Sequence, residues 1–355
     1  MKKNFLLLLL VGLFFVASSV SAKQPKNVIF LIGDGMGLAQ IYLGMVENGN
    51  SLELERMKYI GLSKTYSADN FVTDSGAGGT AIATGIKTKN HMIGLGPDSV
   101  AVETILEQAE RNGLSTGIVV SCAVTYVTPA AFIAHQVNRK MYEECAADYL
   151  KTDIDVFIGG GRQYFESRSD GRNLLTELKA KDYHVATTLE EVLKVKSGKL
   201  AGLVHEDHLP EASERGNYLP EATMAAVDIL DNNNKKGFFL MVEGSQIDWA
   251  GHSNNAAMMA REMIDFDKTI GAVLDYAEKD GNTLVVVTAD HETGGLSLLG
   301  GNITNKKVKT NFSSKGHSGI PVPVFAFGPG AEEFIGFMEN TAFKNKMAKL
   351  LKLKQ

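Results

Sequence analysis

Ser75 stands at the start of a stretch of small residues, TDSGAGGTA over positions 73–81. A serine in this place is commonly just the N-cap of a helix. The same place also suits a nucleophile for phosphoryl transfer, because free backbone amides and the positive end of the helix dipole attract a phosphate group. Serine is a poor nucleophile until it is activated, and no histidine stands near Ser75 in the sequence. We therefore expect a bound metal ion to activate the Ser75 hydroxyl.

Carboxylates and imidazoles with metal-ligand spacing recur in the second half of the chain. They are Asp248 with His252, Asp290 with His291, and the single His317. Four positions separate Asp248 from His252, so a helix would place both side chains on one face. A lone histidine is usually an ordinary surface or core residue, but three that stand beside carboxylates or glycines predict a metal site. Imidazole nitrogen and carboxylate oxygen together form a ligand set that suits zinc.

Two further carboxylates follow predicted strands. Asp34 lies in the glycine-rich turn GDGMG at positions 33–37, and Glu243 directly follows an apolar run. An aspartate in such a turn is often only a turn residue, although the glycines also let the backbone approach a ligand closely. Ligands of open α/β sheets bind outside the carboxyl ends of the strands, so we expect Asp34, Glu243 and Asp290 to converge.

The elements that must position these residues alternate between two kinds. Continuously apolar runs predict strands buried on both faces of a largely parallel sheet, at residues 28–32, 116–120, 156–158, 238–242, 284–288 and 322–327. Between them, helical patterns cover residues 102–111, 221–230 and 257–279. The alternation predicts an α/β fold in which helices sandwich the sheet. We expect one domain over residues 23–355, with surface helices and loops in the polar segment 162–217.

The remaining histidines have no comparable setting. We predict ordinary surface or core positions for His91, His135, His184, His205 and His208. The two cysteines, Cys122 and Cys145, could form a disulfide or be two small buried residues, and the distance between their backbones decides which.

Composition and the N-terminus limit the class of protein. The 355 residues are 44% hydrophobic and 22% charged with a net charge of -5, as in a folded globular protein with no implied nucleic-acid partner. Two lysines, an apolar run over residues 5–16 and small residues up to Ala22 predict a cleaved signal peptide at residues 1–22. The run is too short for a membrane anchor. We therefore expect a secreted or periplasmic mature chain without a membrane anchor.

Taken together, these motifs resemble the alkaline phosphatase family from residue 27 to about residue 330. Asp74, Ser75, Gly76 and Ala77 are similar to the family's nucleophile signature, and the flanking residues 84–88, TGIKT, also fit it. The resemblance implies an α/β fold with a central, largely parallel sheet between helices. The stretch from His291 to His317 is short, so we expect only a small surface insertion.

The resemblance also implies a role for each site residue. Ser75 would be phosphorylated and then dephosphorylated, while Arg139 would clamp two phosphate oxygens. The implied metal ligands are Asp248, His252 and His317 for a first zinc ion, Asp34, Ser75, Asp290 and His291 for a second, and Asp34, Thr128 and Glu243 for magnesium. Members of the family are usually dimers, which is compatible with a homodimer here.

Two positions depart from the family pattern. Tyr126 stands where members often carry Asp or His, and Trp249 stands where Lys or His is common. Both would lie around the magnesium ligands, so we expect them to tune magnesium affinity and rate without abolishing the chemistry.

The expected reaction is hydrolysis of small-molecule phosphate monoesters at alkaline pH. Two alternatives stay open at this point: a phosphodiesterase or sulfatase-like relative with the same two-metal core, and a non-catalytic phosphate- or metal-binding protein of the periplasm.

Overall fold

The structure is a computed structural model that describes residues 24–233 and 236–355. The predicted signal peptide, residues 1–22, lies outside the described residues. The described strands are β1 Asn27–Gly33, β2 Tyr59–Lys64, β3 Ser115–Ala123, β4 Val156–Gly160, β5 Tyr183–Ala186, β6 Lys199–Leu203, β7 Phe238–Gly244, β8 Thr283–Thr288, β9 Glu292–Thr293, β10 Leu296–Asn302, β11 Lys307–Phe312, β12 His317–Ser318, β13 Val322–Phe327 and β14 Gly336–Glu339.

Helices connect most of these strands. The described α-helices are α1 Leu38–Glu47, α2 Ser75–Thr84, α3 Ile105–Arg111, α4 Val127–Ala130, α5 Tyr142–Asp148, α6 Gln163–Glu166, α7 Leu174–Ala180, α8 Leu189–Lys194, α9 Tyr218–Asn233, α10 Gln246–His252, α11 Ala256–Asp280 and α12 Ala342–Leu350. Two short 3-10 helices cover Glu53–Arg56 and Ala331–Phe334.

A ten-stranded sheet forms the centre of the molecule. Its strand order is β14-β2-β13-β8-β1-β7-β3-β4-β6-β5. Every neighbouring pair is parallel except the two that involve β13, which runs antiparallel to both β8 and β2. The predicted fold, a largely parallel sheet between helices, is confirmed.

The central strands are apolar along their whole length because both faces of the sheet are covered. All seven residues of β1 are buried. Side chains alternate between faces along a strand, so Phe30 packs in one core with α2, α3 and α12, while Ile29 and Leu31 pack in the other with α1, α9 and α11. This double cover fixes the strand ends, from which the polar loops emerge.

The polar segment 162–217 differs from our prediction. Besides helices and loops it contributes β5 and β6, which extend the sheet at one edge. The prediction was wrong in omitting both strands, and for β5 the reason is that an edge strand is buried on only part of its surface. In β5, Tyr183 and Ala186 are buried, whereas His184 between them is exposed, so no apolar run marks the strand.

Both cysteines are free and buried in the described part of the chain. Cys122 lies in β3 and Cys145 in α5, which settles the open question in favour of two small buried residues. No described helix has the length and apolar character needed to cross a membrane.

A buried ion cluster ties the loop before α9 to helix α11. The Arg215 guanidinium lies 2.6 Å from a Glu262 oxygen and 2.7 Å from an Asp265 oxygen, and at least nine-tenths of each of the three side chains is buried. Glu262 also accepts a hydrogen bond from the Ala212 amide. The same loop reaches the site described below, because Gln246 of α10 donates to the Leu209 carbonyl.

We predict that Arg215→Met lowers the free energy of unfolding by about 3–5 kcal/mol, because it leaves two buried carboxylates without their cation. Arg261→Met is the matched control, since Arg261 pairs with Glu211 at the surface and its loss costs about 1 kcal/mol or less. Chemical denaturation of both variants measures the difference. Equal losses in the two variants would contradict the analysis.

Candidate active site

The polar side chains that follow the central strands meet at the carboxyl edge of the sheet. Asp34 comes directly after β1, Glu243 is the penultimate residue of β7, and Asp290 and His291 follow β8 closely. These three strands are neighbours in the sheet. All four side chains are fully buried, so the expected convergence places them together in one water-poor site.

Ser75 is the first residue of helix α2 and is 2% exposed. Asp74 is the N-cap, and its Oδ1 accepts a hydrogen bond from the Ala77 amide at 2.9 Å. The Ser75 hydroxyl oxygen lies 3.1 Å from Nε2 of His291. The fold therefore brings an imidazole, 216 positions away in sequence, against a hydroxyl that also lies at the positive end of a helix.

One cluster of ligand atoms surrounds His291. Its Nε2 lies 3.5 Å from Oδ1 of Asp34 and 3.2 Å from Oδ2 of Asp290. Among the described residues, both of these buried oxygens lack a hydrogen-bond partner. Buried carboxylate oxygens are costly without a partner, and the three ligand atoms lie within 4.8 Å of one another. This geometry fits a divalent cation.

A second cluster lies beside the first. Nε2 of His252 is 3.3 Å from Oδ2 of Asp248 and 3.3 Å from Nε2 of His317. The rings of His317 and His291 stack with their centroids 3.5 Å apart, and Asp248, His291 and His317 also form a group that could hold an ion. Two adjacent cation positions would thus share the space around His291.

Backbone carbonyls orient the two histidines of the second cluster. Nδ1 of His252 lies 2.6 Å from the Lys315 carbonyl oxygen, and Nδ1 of His317 lies 2.9 Å from that of Thr73. A carbonyl can only accept, so each Nδ1 must carry a proton. Each ring therefore turns Nε2 into the site as the nitrogen available to a metal ion.

Glu243 and Thr128 lie next to Asp34. Thr128 donates from Oγ1 to Oδ2 of Asp34 at 3.3 Å. Oε2 of Glu243 accepts from the Ser245 hydroxyl at 2.8 Å and from the Cys122 thiol at 3.4 Å, while Oε1 is buried without a partner within the described chain. The two donors on Oε2 leave Oε1 as the free ligand atom.

Burial dominates the ionisation of the carboxylates. It raises the pKa of Glu243 to about 7 and that of Asp290 to about 8, and it raises the pKa of Asp34 well above its usual range, with the charge of Asp290 as the next cause. Asp248 is the exception. Burial also opposes its charge, but a hydrogen bond from His252 and the nearby imidazoles outweigh burial and lower its pKa to about 2.

The pKa values of His252 and His291 shift in opposite directions. The hydrogen bond to Asp248 raises the pKa of His252 to about 9. Burial, followed by repulsion from His317, holds the pKa of His291 well below its usual value. A neutral His291 is the form that binds a metal ion.

Arg139 is tied to the start of helix α2 through Asp74. Its Nη1 donates to Oδ2 of Asp74 at 3.0 Å. Burial lowers the pKa of the guanidinium, but the charge and hydrogen bond of Asp74 outweigh that effect and raise it. Asp74 thus holds a permanent cation beside the start of α2.

Sequence patterns did not reveal several neighbours of the site. Asp74 stood inside a quoted motif without a role of its own, while Ser245 and Thr293, whose hydroxyl bonds to Asp248, stood in none. We expected His208 to be an ordinary residue of the polar segment. Instead its ring packs edge-on against Tyr126 and Trp249, at centroid distances of 4.9 and 4.8 Å, and its Nδ1 accepts from the Ala123 amide.

The other histidines differ in burial and in their contacts. His135 is half-buried and contacts Glu107, while His184 and His205 are exposed. His91 contacts Asp74 at 3.2 Å, so our prediction of an ordinary position for it was incomplete. A single hydroxyl or imidazole carries no periodic signal, and only the fold brings His91 and His208 to the site.

We predict that the chelated, metal-free protein loses thermal stability as the pH rises from 6.5 to 9. The folded pKa values of Glu243, Asp290 and His252 lie above their unfolded values, so the stability they contribute is present at low pH and is lost as the pH rises through about 7, 8 and 9. Added zinc should give a stabilisation that grows with pH, because metal ions bind deprotonated ligands. Melting temperatures across this range measure both effects.

Asp290→Asn supplies the matched comparison. Glu110, outside the site, has a raised pKa of about 7 and acts in the same direction, so the variant is needed to isolate the site. The metal-free variant should lose less stability than the native chain between pH 7 and 9. A metal-free native chain whose melting temperature stays constant or rises over that interval would contradict the analysis.

Comparison with known proteins identifies the family. The family model described as alkaline phosphatase matches residues 25–311. Alkaline phosphatase 4 of Bacillus subtilis (strain 168) is 35% identical over 416 residues, which cover 93% of this chain and 89% of that protein. Since this chain has only 355 residues, the relative contains segments that this chain lacks, in line with the expected small insertion.

Solved structures give the same result. Alkaline phosphatase from the Antarctic bacterium TAB5 superposes with a TM-score of 0.89 at 43% identity, covering 94% of this chain and all of that one. A mutant of the TAB5 enzyme, with Mg bound in the M3 site, superposes with the same TM-score at 42% identity and the same coverage. The chain therefore belongs to the alkaline phosphatase family and has the fold and activity class of a phosphate monoester hydrolase.

Proposed function

We propose that this chain hydrolyses phosphate monoesters through a phosphoserine intermediate on Ser75, with two zinc ions and one magnesium ion bound at the carboxyl edge of the sheet. One observation carries the proposal. The Ser75 hydroxyl lies at the start of α2, 3.1 Å from His291, beside two clusters of carboxylates and imidazoles, and two buried oxygens of the first cluster have no partner among the described residues. A hydroxyl suited to act as a nucleophile and a set of side chains suited to bind cations meet at one point.

The residues divide among three cation positions. We assign Asp248, His252 and His317 to a first zinc ion, Asp34, Ser75, Asp290 and His291 to a second, and Asp34, Thr128 and Glu243 to magnesium. The short distances within each set support the assignment. For magnesium, the bound Mg of the TAB5 mutant is a further argument by analogy. When bound, such ions lower the pKa of a serine hydroxyl or water and stabilise the charge on attacking and leaving oxygens.

The chain itself supplies the nucleophile and the phosphate clamp. In the first step, Ser75 Oγ would attack phosphorus and lose its proton to solvent, while the ester P–O bond breaks and the departing alkoxide takes up a proton from solvent to leave as the alcohol. In the second, water would attack the phosphoserine, which releases inorganic phosphate and restores the Ser75 hydroxyl. Arg139 would hold two phosphate oxygens through N–H groups not used by Asp74, and the dipole of α2 would favour the negative charge in both steps.

We further propose where the enzyme acts, how the chain is divided into domains and how it assembles. Residues 1–22 would be removed as a signal peptide, so the mature enzyme would act outside the cytoplasm, in the periplasm or secreted. Residues 23–355 would form one domain, because β1 and β14, from the two ends of the chain, belong to the same sheet. A homodimer is proposed from the family resemblance alone.

Ser75→Ala should abolish nearly all monoester turnover, a loss of at least about 10³-fold, because the variant has no oxygen to accept the phosphoryl group. Zinc content should fall little, since the carboxylates and imidazoles remain. Ser115→Ala is the matched control. Ser115 is a buried serine at the start of β3, the end of the strand away from the site, so its loss should leave turnover unchanged. Normal turnover by Ser75→Ala would remove Ser75 from the mechanism.

The substrate class can be tested with paired aryl phosphate monoesters and diesters at alkaline pH. Chelated protein should be inactive, and zinc with magnesium should restore monoester turnover with little diester cleavage. Preferential diester cleavage would favour a phosphodiesterase. An absence of turnover on both substrates, with zinc bound, would favour a non-catalytic binding protein.

A further inference from the structure

His91 has an unusual backbone for a residue with a side chain. Its φ is +76°, in the left-handed region that glycine adopts freely and that most other residues avoid. Its ring is about 69% exposed, so burial of the side chain does not explain the conformation. Residues held in this way persist where their surroundings fix them, and they concentrate at functional sites.

Contacts with two site residues fix His91 in place. Its backbone amide donates to Oδ2 of Asp74 at 3.0 Å, and its backbone carbonyl accepts from the Arg139 amide at 2.8 Å. Its ring nitrogen Nδ1 lies 3.2 Å from the same Asp74 oxygen. His91 therefore joins the carboxylate that holds Arg139 to the backbone of Arg139 itself.

Three nitrogen atoms surround Oδ2 of Asp74, and two of them donate hydrogen bonds to it. The three nitrogens are the amide of His91, Nδ1 of His91 and Nη1 of Arg139, at 3.0, 3.2 and 3.0 Å. The amide of His91 and Nη1 of Arg139 are the hydrogen-bond donors, and Nδ1 of His91 brings the polar edge of the ring against the same carboxylate oxygen. Each added polar group draws part of the negative charge of Asp74 away from the guanidinium.

We infer that His91 is a positioning residue that sets how tightly Asp74 holds Arg139, and thereby how strongly the site binds phosphate. The inference rests on the proposed role of Arg139 as the phosphate clamp. With the ring in place, Asp74 orients the guanidinium without neutralising it. Without the ring, Asp74 pairs more strongly with Arg139 and repels the phosphate dianion more, so phosphate binds more weakly.

The test measures the affinity of the zinc- and magnesium-loaded enzyme for inorganic phosphate, by calorimetry and by competitive inhibition. His91→Gly removes the ring and fits the left-handed backbone, so the chain should fold and melt at no lower temperature. Its dissociation constant for phosphate should rise about three- to tenfold, which is no more than the effect of one hydrogen bond of ordinary strength. His91→Asn tolerates the same backbone and retains a polar group at the same reach, so its affinity should stay within about twofold of the native value.

Two further variants separate an effect of the His91 ring from an effect of relieved backbone strain and from an error in the proposed role of Arg139. Asn50→Gly relieves the same kind of backbone conformation in an exposed loop, with φ of +63°, and should not change phosphate affinity. Arg139→Ala should weaken phosphate binding strongly. If Arg139→Ala weakens binding but His91→Gly does not, or if His91→Asn weakens it as much as His91→Gly, the inference is overturned. If Arg139→Ala has no effect, the proposed clamp itself is wrong.

Discussion

Removal of carboxylates from water at the carboxyl edge of the sheet is the constraint on which the site depends. Asp34, Glu243 and Asp290 are fully buried, and each leaves one oxygen without a partner among the described residues. Burial of such a group is unfavourable unless a cation or proton compensates it, and here burial raises all three pKa values. The buried carboxylates therefore favour the binding of divalent ions. A chain selected for stability alone would not need them.

The rest of the fold keeps these groups in place. Strands β1, β7 and β8 are packed on both faces, so the residues at their ends have little freedom to move away from one another. Backbone carbonyls fix the rings of His252 and His317, and the Asp74 cap fixes the start of α2 beside His291. Rigid placement of ligands and nucleophile is what makes electrostatic catalysis effective, since little reorganisation remains for the reaction itself.

Much of this arrangement could be predicted from the sequence. Continuous apolar runs marked the central strands. The rule that ligands bind at the carboxyl ends of parallel strands predicted that Asp34, Glu243 and Asp290 lie close together, as they do in the structure. Individual roles, such as that of Arg139, came only from family resemblance. Edge strand β5 was not predicted, because half of it faces water and no apolar run marks it. The positions of His208 and His91 at the site were missed because the residues they contact are distant in sequence. The left-handed backbone of His91 also produces no recognisable sequence pattern.

The measurement that tests the central claim most directly is X-ray diffraction from crystals grown with zinc, recorded on both sides of the zinc absorption edge. The claim predicts two zinc peaks at the carboxyl edge of the sheet, one among Asp34, Asp290 and His291 and one among Asp248, His252 and His317. Zinc found elsewhere, or neither cluster occupied in crystals of fully active enzyme, would contradict the claim that the buried carboxylates are there to bind metal ions.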